Sequence, residues 1–177
     1  MNVNADVDQK CRCKCLIETV YPDMPVLKPV PIGTKGRPWF KKIRRWLFGV
    51  RKWELVFDYY IYLPWLEKEI KVPGGFIFDG ASVPKPLWPL LNPTGILLIP
   101  GLLHDYGYKY NCWLDEDGNK IFDKAGQKFF DQQFGKVAMY VNDMKFLDRN
   151  AFYALRLFGF KAWNDHRKED KKLGVTK

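Results

Sequence analysis

The side chains best suited to acid–base chemistry lie in the second half of the chain. The sequence holds two histidines, and their settings differ. His166 stands in a charged stretch, where we expect it to be solvated, whereas His104 follows a run of apolar residues. A buried imidazole that lacks a hydrogen-bond partner costs free energy. His104 therefore needs a polar partner from another segment of the chain.

Asp131 is the candidate partner of His104. It lies between Phe130 and Phe134, so we expect its carboxylate to be buried and to accept hydrogen bonds. Tyr108 follows His104 by about one helical turn and can donate its hydroxyl to the same carboxylate. A carboxylate in this position fixes the tautomer of an imidazole and raises its basicity. The ring can then take a proton from water or from a substrate hydroxyl.

Asp105 should point away from His104, because adjacent residues on a helix diverge by about 100°. In that direction its carboxylate could ligate a divalent cation, calcium or zinc, which would polarise a carbonyl or phosphoryl oxygen. A structural interpretation stands beside the catalytic one. His104, Asp131 and Tyr108 could simply close a hydrogen-bond network between two helices.

Strands are predicted before and between the segments that carry these residues. Residues 53–63 are rich in aromatic and β-branched side chains, which favours a strand. Shorter strands are predicted at 69–72 and 76–78, on either side of a turn that starts at Pro73. Residues 112–122 predict two more strands around an Asp-Gly turn.

Helices are predicted for the polar cluster itself and for the segments after it. One should run from Pro100 to Asn111, a second should be capped by Asp123 and end near Asn142, and a third should reach Asp165 from about residue 143 or 150. The fold class is therefore predicted as α+β. A small antiparallel sheet or hairpins should be followed by a bundle of about three helices.

Charge and length divide the chain into parts. At 177 residues it is expected to hold one core, and no apolar run approaches the roughly 20 residues that span a bilayer. The net charge is +9, and residues 1–52 hold 12 Lys and Arg against 4 Asp and Glu. We predict a basic, proline-rich N-terminal arm over residues 1–51, one domain over 52–165 and a charged tail over 166–177.

Residues 37–53, RPWFKKIRRWLFGVRKW, predict a short basic amphipathic helix, because apolar residues recur at spacings of three and four. Three interpretations stay open. The tryptophan side could pack on the core, the basic side could bind the phosphates of a nucleic acid, or the helix could lie on an anionic bilayer. The candidate partner-binding residues are Trp39, Lys41, Lys42, Arg44, Arg45 and Trp46.

Cysteine spacing and the N-terminus bear on the cellular compartment. Cys11, Cys13 and Cys15 are closer together than the paired thiols of zinc ribbons, and Cys112 is far away in sequence. We expect reduced thiols in a cytosolic setting, with metal binding or a bond to Cys112 as the alternatives. The first residues lack the basic start and apolar stretch of a secretory signal, so we do not expect export by that route.

Separated motifs occur in order along the body of the chain. They are VPGGFIFDGASVP (Val72 to Pro84), Trp88, LLHDYGY (Leu102 to Tyr108), FDQQF (Phe130 to Phe134) and YALRLFGFKAW (Tyr153 to Trp163). Together they resemble a domain-of-unknown-function family found mainly in tailed bacteriophages and prophages. The resemblance implies a phage origin, with a place in the host cytoplasm during infection or in the virion. It implies little about mechanism.

The segment from His104 to Tyr108 is also similar to the His-Asp-x-x-Tyr helix of secreted phospholipases A2. The similarity implies that His104 activates water, that Asp105 ligates calcium, and that Tyr108 and Asp131 orient the imidazole. The chain lacks the glycine- and cysteine-rich calcium loop and the disulfides of those enzymes. Residues 79–82, beginning with Asp79, would have to supply the missing oxygen ligands.

Three functional hypotheses follow. The leading one is a small hydrolase that acts on an ester, either a lipid or another cell-envelope component. The second is a non-enzymatic virion or assembly component whose N-terminal arm binds a phage structural protein. The third is nucleic-acid binding through residues 37–53.

Overall fold

The computed structural model describes residues 23–31, 33, 36, 38–48, 52–79, 97–143 and 145–172. Those residues form an α+β protein, as predicted, with small antiparallel sheets and four α-helices. None of these helices combines the length and the apolar character that a bilayer-crossing segment needs. The cluster of Cys11, Cys13 and Cys15 lies outside the described residues.

The strands are β1 (Leu27–Pro29), β2 (Trp53–Leu55), β3 (Tyr59–Leu63), β4 (Lys68–Val72), β5 (Ile77–Phe78), β6 (Trp113–Leu114) and β7 (Lys120–Ile121). The helices are α1 (Trp39–Phe48), α2 (Leu98–Tyr110), α3 (Gln127–Asn142) and α4 (Lys145–Lys172). One sheet has the order β1-β2-β5 and the other the order β3-β4-β6-β7, and all neighbouring strands are antiparallel.

The strand predicted over residues 53–63 is divided into β2 and β3, which belong to different sheets. The prediction of one continuous strand was therefore wrong. The Asp58 carboxylate accepts the backbone N–H of Gly74 at 2.8 Å and pairs with the Lys71 ammonium at 2.8 Å. These contacts hold the chain where it leaves one sheet for the other. Aromatic residues continue across the division, so composition does not mark it.

The N-terminal arm supplies a strand to the first sheet. β1 pairs with β2 so that Leu27 lies opposite Leu55 and Lys28 opposite Glu54. The Lys28 ammonium is 3.0 Å from the Glu54 carboxylate, an exposed ion pair that contributes little free energy. The helix predicted over residues 37–53 is shorter than expected, because α1 ends at Phe48.

The central helix α2 begins earlier than predicted. Its first residue is Leu98, and Pro100 lies within the first turn rather than at the start. Proline is tolerated there because the first N–H groups of a helix have no intrahelical partner. Asn111 ends the helix in the left-handed conformation, with φ of 53°, which confirms the predicted terminus.

Helices α3 and α4 also differ from their predicted bounds. α3 begins at Gln127 with Gly126 as its N-cap, so the prediction that Asp123 caps it was wrong. α4 runs on to Lys172, through most of the segment predicted as a tail. Arg167 holds this extension, because its guanidinium donates to the backbone carbonyls of Tyr108 and Lys109 at 2.8 and 2.9 Å.

The core is built around α2, where ten of the thirteen residues are buried. Apolar residues of both sheets pack in the same cluster, among them Leu55, Ile61 and Ile70. On the other side α2 meets α3 and α4. A residue in the middle of α2 is therefore held by helices and sheets together.

Candidate active site

His104 and Asp131 meet where α2 packs against α3. Nε2 of His104 lies 3.0 Å from Oδ1 of Asp131, and the Tyr108 hydroxyl donates to the same oxygen at 2.5 Å. Because a carboxylate accepts hydrogen bonds, Nε2 carries the proton and Nδ1 is the unprotonated nitrogen of the neutral ring. The hydrogen bonds predicted among these three side chains are present. Their catalytic roles stay predictions.

Helical spacing and small residues bring the three groups together. His104 and Tyr108 are four residues apart, so they lie on the same face of α2. Asp131 reaches that face because the two helices approach closely at Gly107. A Cβ atom at Gly107 would lie 2.2 Å from the ring of Phe130, so a larger residue would push α2 and α3 apart.

The cluster has a buried end and a partly exposed end. The side chain of Asp131 is fully buried and that of His104 is 5% exposed, whereas that of Asp105 is 20% exposed. The imidazole packs against the Tyr108 ring at a centroid distance of 4.0 Å and edge-on against Phe134 at 5.5 Å. Asp105 is therefore the member of this cluster that keeps the most contact with solvent.

Asp105 is closer to the imidazole than the divergence of adjacent helix residues led us to expect. Its Oδ1 lies 3.8 Å from Nδ1 of His104, a distance too long for a hydrogen bond but short enough for charge attraction. Its Oδ2 is buried and has no hydrogen-bond partner in the described part of the chain. Burial raises the pKa of Asp105 to about 7, and the neighbouring Asp79 carboxylate acts in the same direction against the opposing effect of His104.

The imidazole of His104 is more basic than an isolated one. Burial lowers its pKa, but the carboxylates of Asp105 and Asp131 together outweigh that effect, so the pKa lies above its ordinary value. The carboxylates act by favouring the protonated ring, one through a hydrogen bond and the other through its charge. His104 is thus suited to accept a proton at Nδ1.

Asp79 and Asp105 are the residues predicted to ligate a cation, and this role stays a prediction. The Asp79 carboxylate is close enough to raise the pKa of Asp105. Among the described residues no group of three or more His, Cys, Asp or Glu side chains is arranged to hold a metal ion. Calcium takes about six to eight oxygen ligands, so two carboxylates are not a complete set. The other ligands expected, from Gly80 to Ser82, lie outside the described residues.

The other predicted residues are His166 and the candidate partner-binding residues, which lie far from this cluster in sequence. His166 is half-buried on α4 rather than solvated, and burial lowers its pKa. Trp39, Lys41 and Lys42 are exposed on α1. Arg44, Arg45 and Trp46 continue that helix, and their side chains lie outside the described residues.

The sequence reasoning missed Gly159, which lies against the cluster from α4. A Cβ atom there would be 2.6 Å from the Tyr108 hydroxyl oxygen, so the glycine allows α4 to cover the tyrosine. The sequence itself carries a signal for this role of Gly159. Glycine costs about 1 kcal/mol relative to alanine inside a helix, which indicates a packing reason for its presence.

These features define an α+β protein in which a buried His–Asp pair and a tyrosine join two central helices. The chain belongs to the family described as "Protein of unknown function (DUF1353)", whose model matches residues 53–142. That range contains α2 and α3, and with them His104, Asp105, Tyr108 and Asp131. No curated protein and no solved structure matches the chain significantly.

Proposed function

We propose that this protein is a small hydrolase in which His104 acts as a general base on water that attacks an ester. The observation that carries the proposal is the unequal use of the two ring nitrogens. Nε2 is bound to Asp131 at 3.0 Å, whereas Nδ1 lies 3.8 Å from Oδ1 of Asp105, which is beyond hydrogen-bond distance. A histidine that only joined two helices would gain from satisfying both nitrogens.

The proposed reaction needs one proton to move twice. Nδ1 takes a proton from water as the oxygen attacks the ester carbonyl, and the imidazolium then gives that proton to the departing alkoxide. Asp131 stabilises the charged ring, as carboxylates do in related arrangements, and does not itself need to take the proton. His104 is the catalytic residue in this scheme, and Asp131 and Tyr108 are positioning residues.

A divalent cation held by Asp79 and Asp105 is part of the proposal. It would polarise the ester carbonyl and stabilise the negative charge that develops on its oxygen. Carboxylate oxygens favour calcium over zinc. Because the pKa of Asp105 is about 7, cation binding should displace a proton below that pH, so the affinity should rise as the pH approaches 7 and level off above it.

The substrate class and the biological setting come from the sequence. The likeness of residues 104–108 to the phospholipase helix supports a lipid or another cell-envelope ester as the substrate. The ordered motifs described above support a phage origin, with action in the host cytoplasm or from the particle. The alternative is a non-enzymatic virion or assembly component, and the exposed aromatic residues Trp39 and Phe40 favour it.

Ester turnover by matched histidine variants tests the proposal. We expect wild-type protein to hydrolyse members of a panel of nitrophenyl esters and phospholipids in the presence of calcium. His104→Gln should lower the rate by about 10²- to 10⁴-fold, the usual contribution of a general base. His166→Gln is the matched control and should keep the wild-type rate. Equal rates for wild type and a folded His104→Gln protein would dismiss catalysis and favour the virion component.

A further inference from the structure

The first half of α1 exposes large apolar side chains beside basic ones. Trp39 is 73% exposed, Phe40 54% and Ile43 47%. Lys41 and Lys42 between them are exposed as well. The apolar side of an amphipathic helix normally packs on a core, and exposed apolar patches mark interaction sites. These apolar side chains are uncovered in the described structure, so they are available to a partner.

The two kinds of residue occupy opposite sides of the helix. At about 100° per residue, positions 39, 40, 43, 46 and 47 fall within an arc of about 120°. All five positions hold Trp, Phe, Ile or Leu. The four Lys and Arg residues of α1 fall on the remaining arc, which also holds the position of Phe48, and the helix holds no Asp or Glu. A partner must therefore suit an apolar surface beside a flank on which every charge is positive.

We propose that α1 is an interfacial helix through which the protein binds an anionic lipid bilayer. Such a surface meets both sides of the helix, because acyl chains receive the apolar arc while anionic headgroups pair with the lysines and arginines. A nucleic acid would engage the basic arc and leave Trp39 and Ile43 in water. With ten residues, α1 is far shorter than the roughly 20 that span a bilayer, so it lies in the plane of the interface.

Bilayer binding also narrows the substrate of the proposed hydrolase. An enzyme that is held on a membrane meets lipid esters at high local concentration, so a glycerophospholipid of that bilayer becomes the substrate. This step rests on the proposed function, whereas the binding surface stands on the exposure and charge of α1 alone.

Vesicle flotation measures directly how tightly the protein binds a bilayer. The full chain is mixed with vesicles of phosphatidylcholine alone or of phosphatidylcholine and phosphatidylglycerol in equal parts. We expect binding to the anionic vesicles, weakened by added salt. Lys41→Gln with Lys42→Gln should lower the affinity about thirty-fold, because each lysine near an anionic surface is worth about five-fold. Trp39→Ser with Ile43→Ser should also weaken it strongly.

Control substitutions use exposed residues of the other helices. Phe160 on α4 is 57% exposed, close to the value for Phe40, and Lys136 on α3 is exposed as well. Phe160→Ser and Lys136→Gln should leave vesicle binding unchanged. Equal binding to neutral and anionic vesicles, no binding at all, or equal losses from the control and α1 substitutions would each overturn the proposal. So would selective binding to duplex DNA or to a protein with no affinity for vesicles.

The catalytic variant separates the two proposals. His104→Gln should float with anionic vesicles as wild type does, while releasing no fatty acid from them. If wild type binds vesicles but does not hydrolyse their lipids, the hydrolase proposal fails and the membrane-binding proposal stands. If wild type hydrolyses a soluble ester but does not bind vesicles, the membrane-binding proposal fails and the hydrolase proposal stands.

Discussion

Replacement of Asp105 by asparagine should make the protein more stable at alkaline pH. The carboxylate is largely buried, one of its oxygens has no hydrogen-bond partner among the described residues, and it lies beside the Asp79 carboxylate. Ionisation of Asp105 in the folded state is therefore unfavourable, even though His104 is near. Asparagine has nearly the same shape and carries no charge, so it removes this cost.

The size and the sign follow from the two pKa values. The pKa of Asp105 is about 7 in the folded protein and 3.8 ordinarily, a difference worth about 4 kcal/mol. Between those values the folded protein keeps a proton that the unfolded chain releases. The free energy of unfolding of wild type therefore falls as the pH rises through this window and levels off above it. Asp105→Asn should lack that fall.

Urea unfolding followed by tryptophan fluorescence, at pH 4 and at pH 8, provides the measurement. We expect Asp105→Asn to gain up to about 4 kcal/mol over wild type at pH 8 relative to the same comparison at pH 4. The change in packing is common to both pH values and cancels. Asp123→Asn, at an exposed aspartate, is the control and should show no such gain. An equal effect of Asp105→Asn at both pH values would refute the reasoning.

Two further predictions concern the glycines of the helix contacts. Gly107→Ala places a methyl group 2.2 Å from the ring of Phe130, which is fully buried. The substitution should lower the free energy of unfolding by about 2 to 3 kcal/mol, despite the better helix propensity of alanine. Gly159→Ala places a methyl group 2.6 Å from the Tyr108 hydroxyl oxygen, which is held by its hydrogen bond to Asp131, and should lower the free energy of unfolding by about 1 to 3 kcal/mol. Chemical unfolding checks both, and a stabilised Gly107→Ala protein would contradict the packing described here.

The polar cluster was predictable where the sequence places a polar residue among apolar ones. A carboxylate between Phe130 and Phe134 has to be buried and bonded, and His104 was the buried group in need of an acceptor. The part played by Gly159 was not predicted, because it depends on how α4 crosses α2. The neighbouring position of Asp79 came from a family resemblance rather than from any periodicity in the residues.

The fold was predictable in class and less so in its boundaries. The aromatic and β-branched run after Trp53 indicated strand, but the change of sheet depends on Asp58, whose contacts to Lys71 and Gly74 are made across a turn. The continuation of α4 past residue 165 depends on Arg167, which binds carbonyls of another helix. Local sequence signals do not encode contacts of this kind, so the charges of this segment predict a tail.

The central claim is that His104 is held at Nε2 and presents a basic Nδ1. An NMR titration that resolves the ring nitrogens tests it, with His166→Gln used to assign the signals. We predict that the neutral His104 ring carries its proton on Nε2 and has a pKa above the ordinary 6.5, whereas burial keeps the pKa of His166 below that value. A proton on Nδ1, or a His104 ring that stays neutral down to acidic pH, would contradict the account.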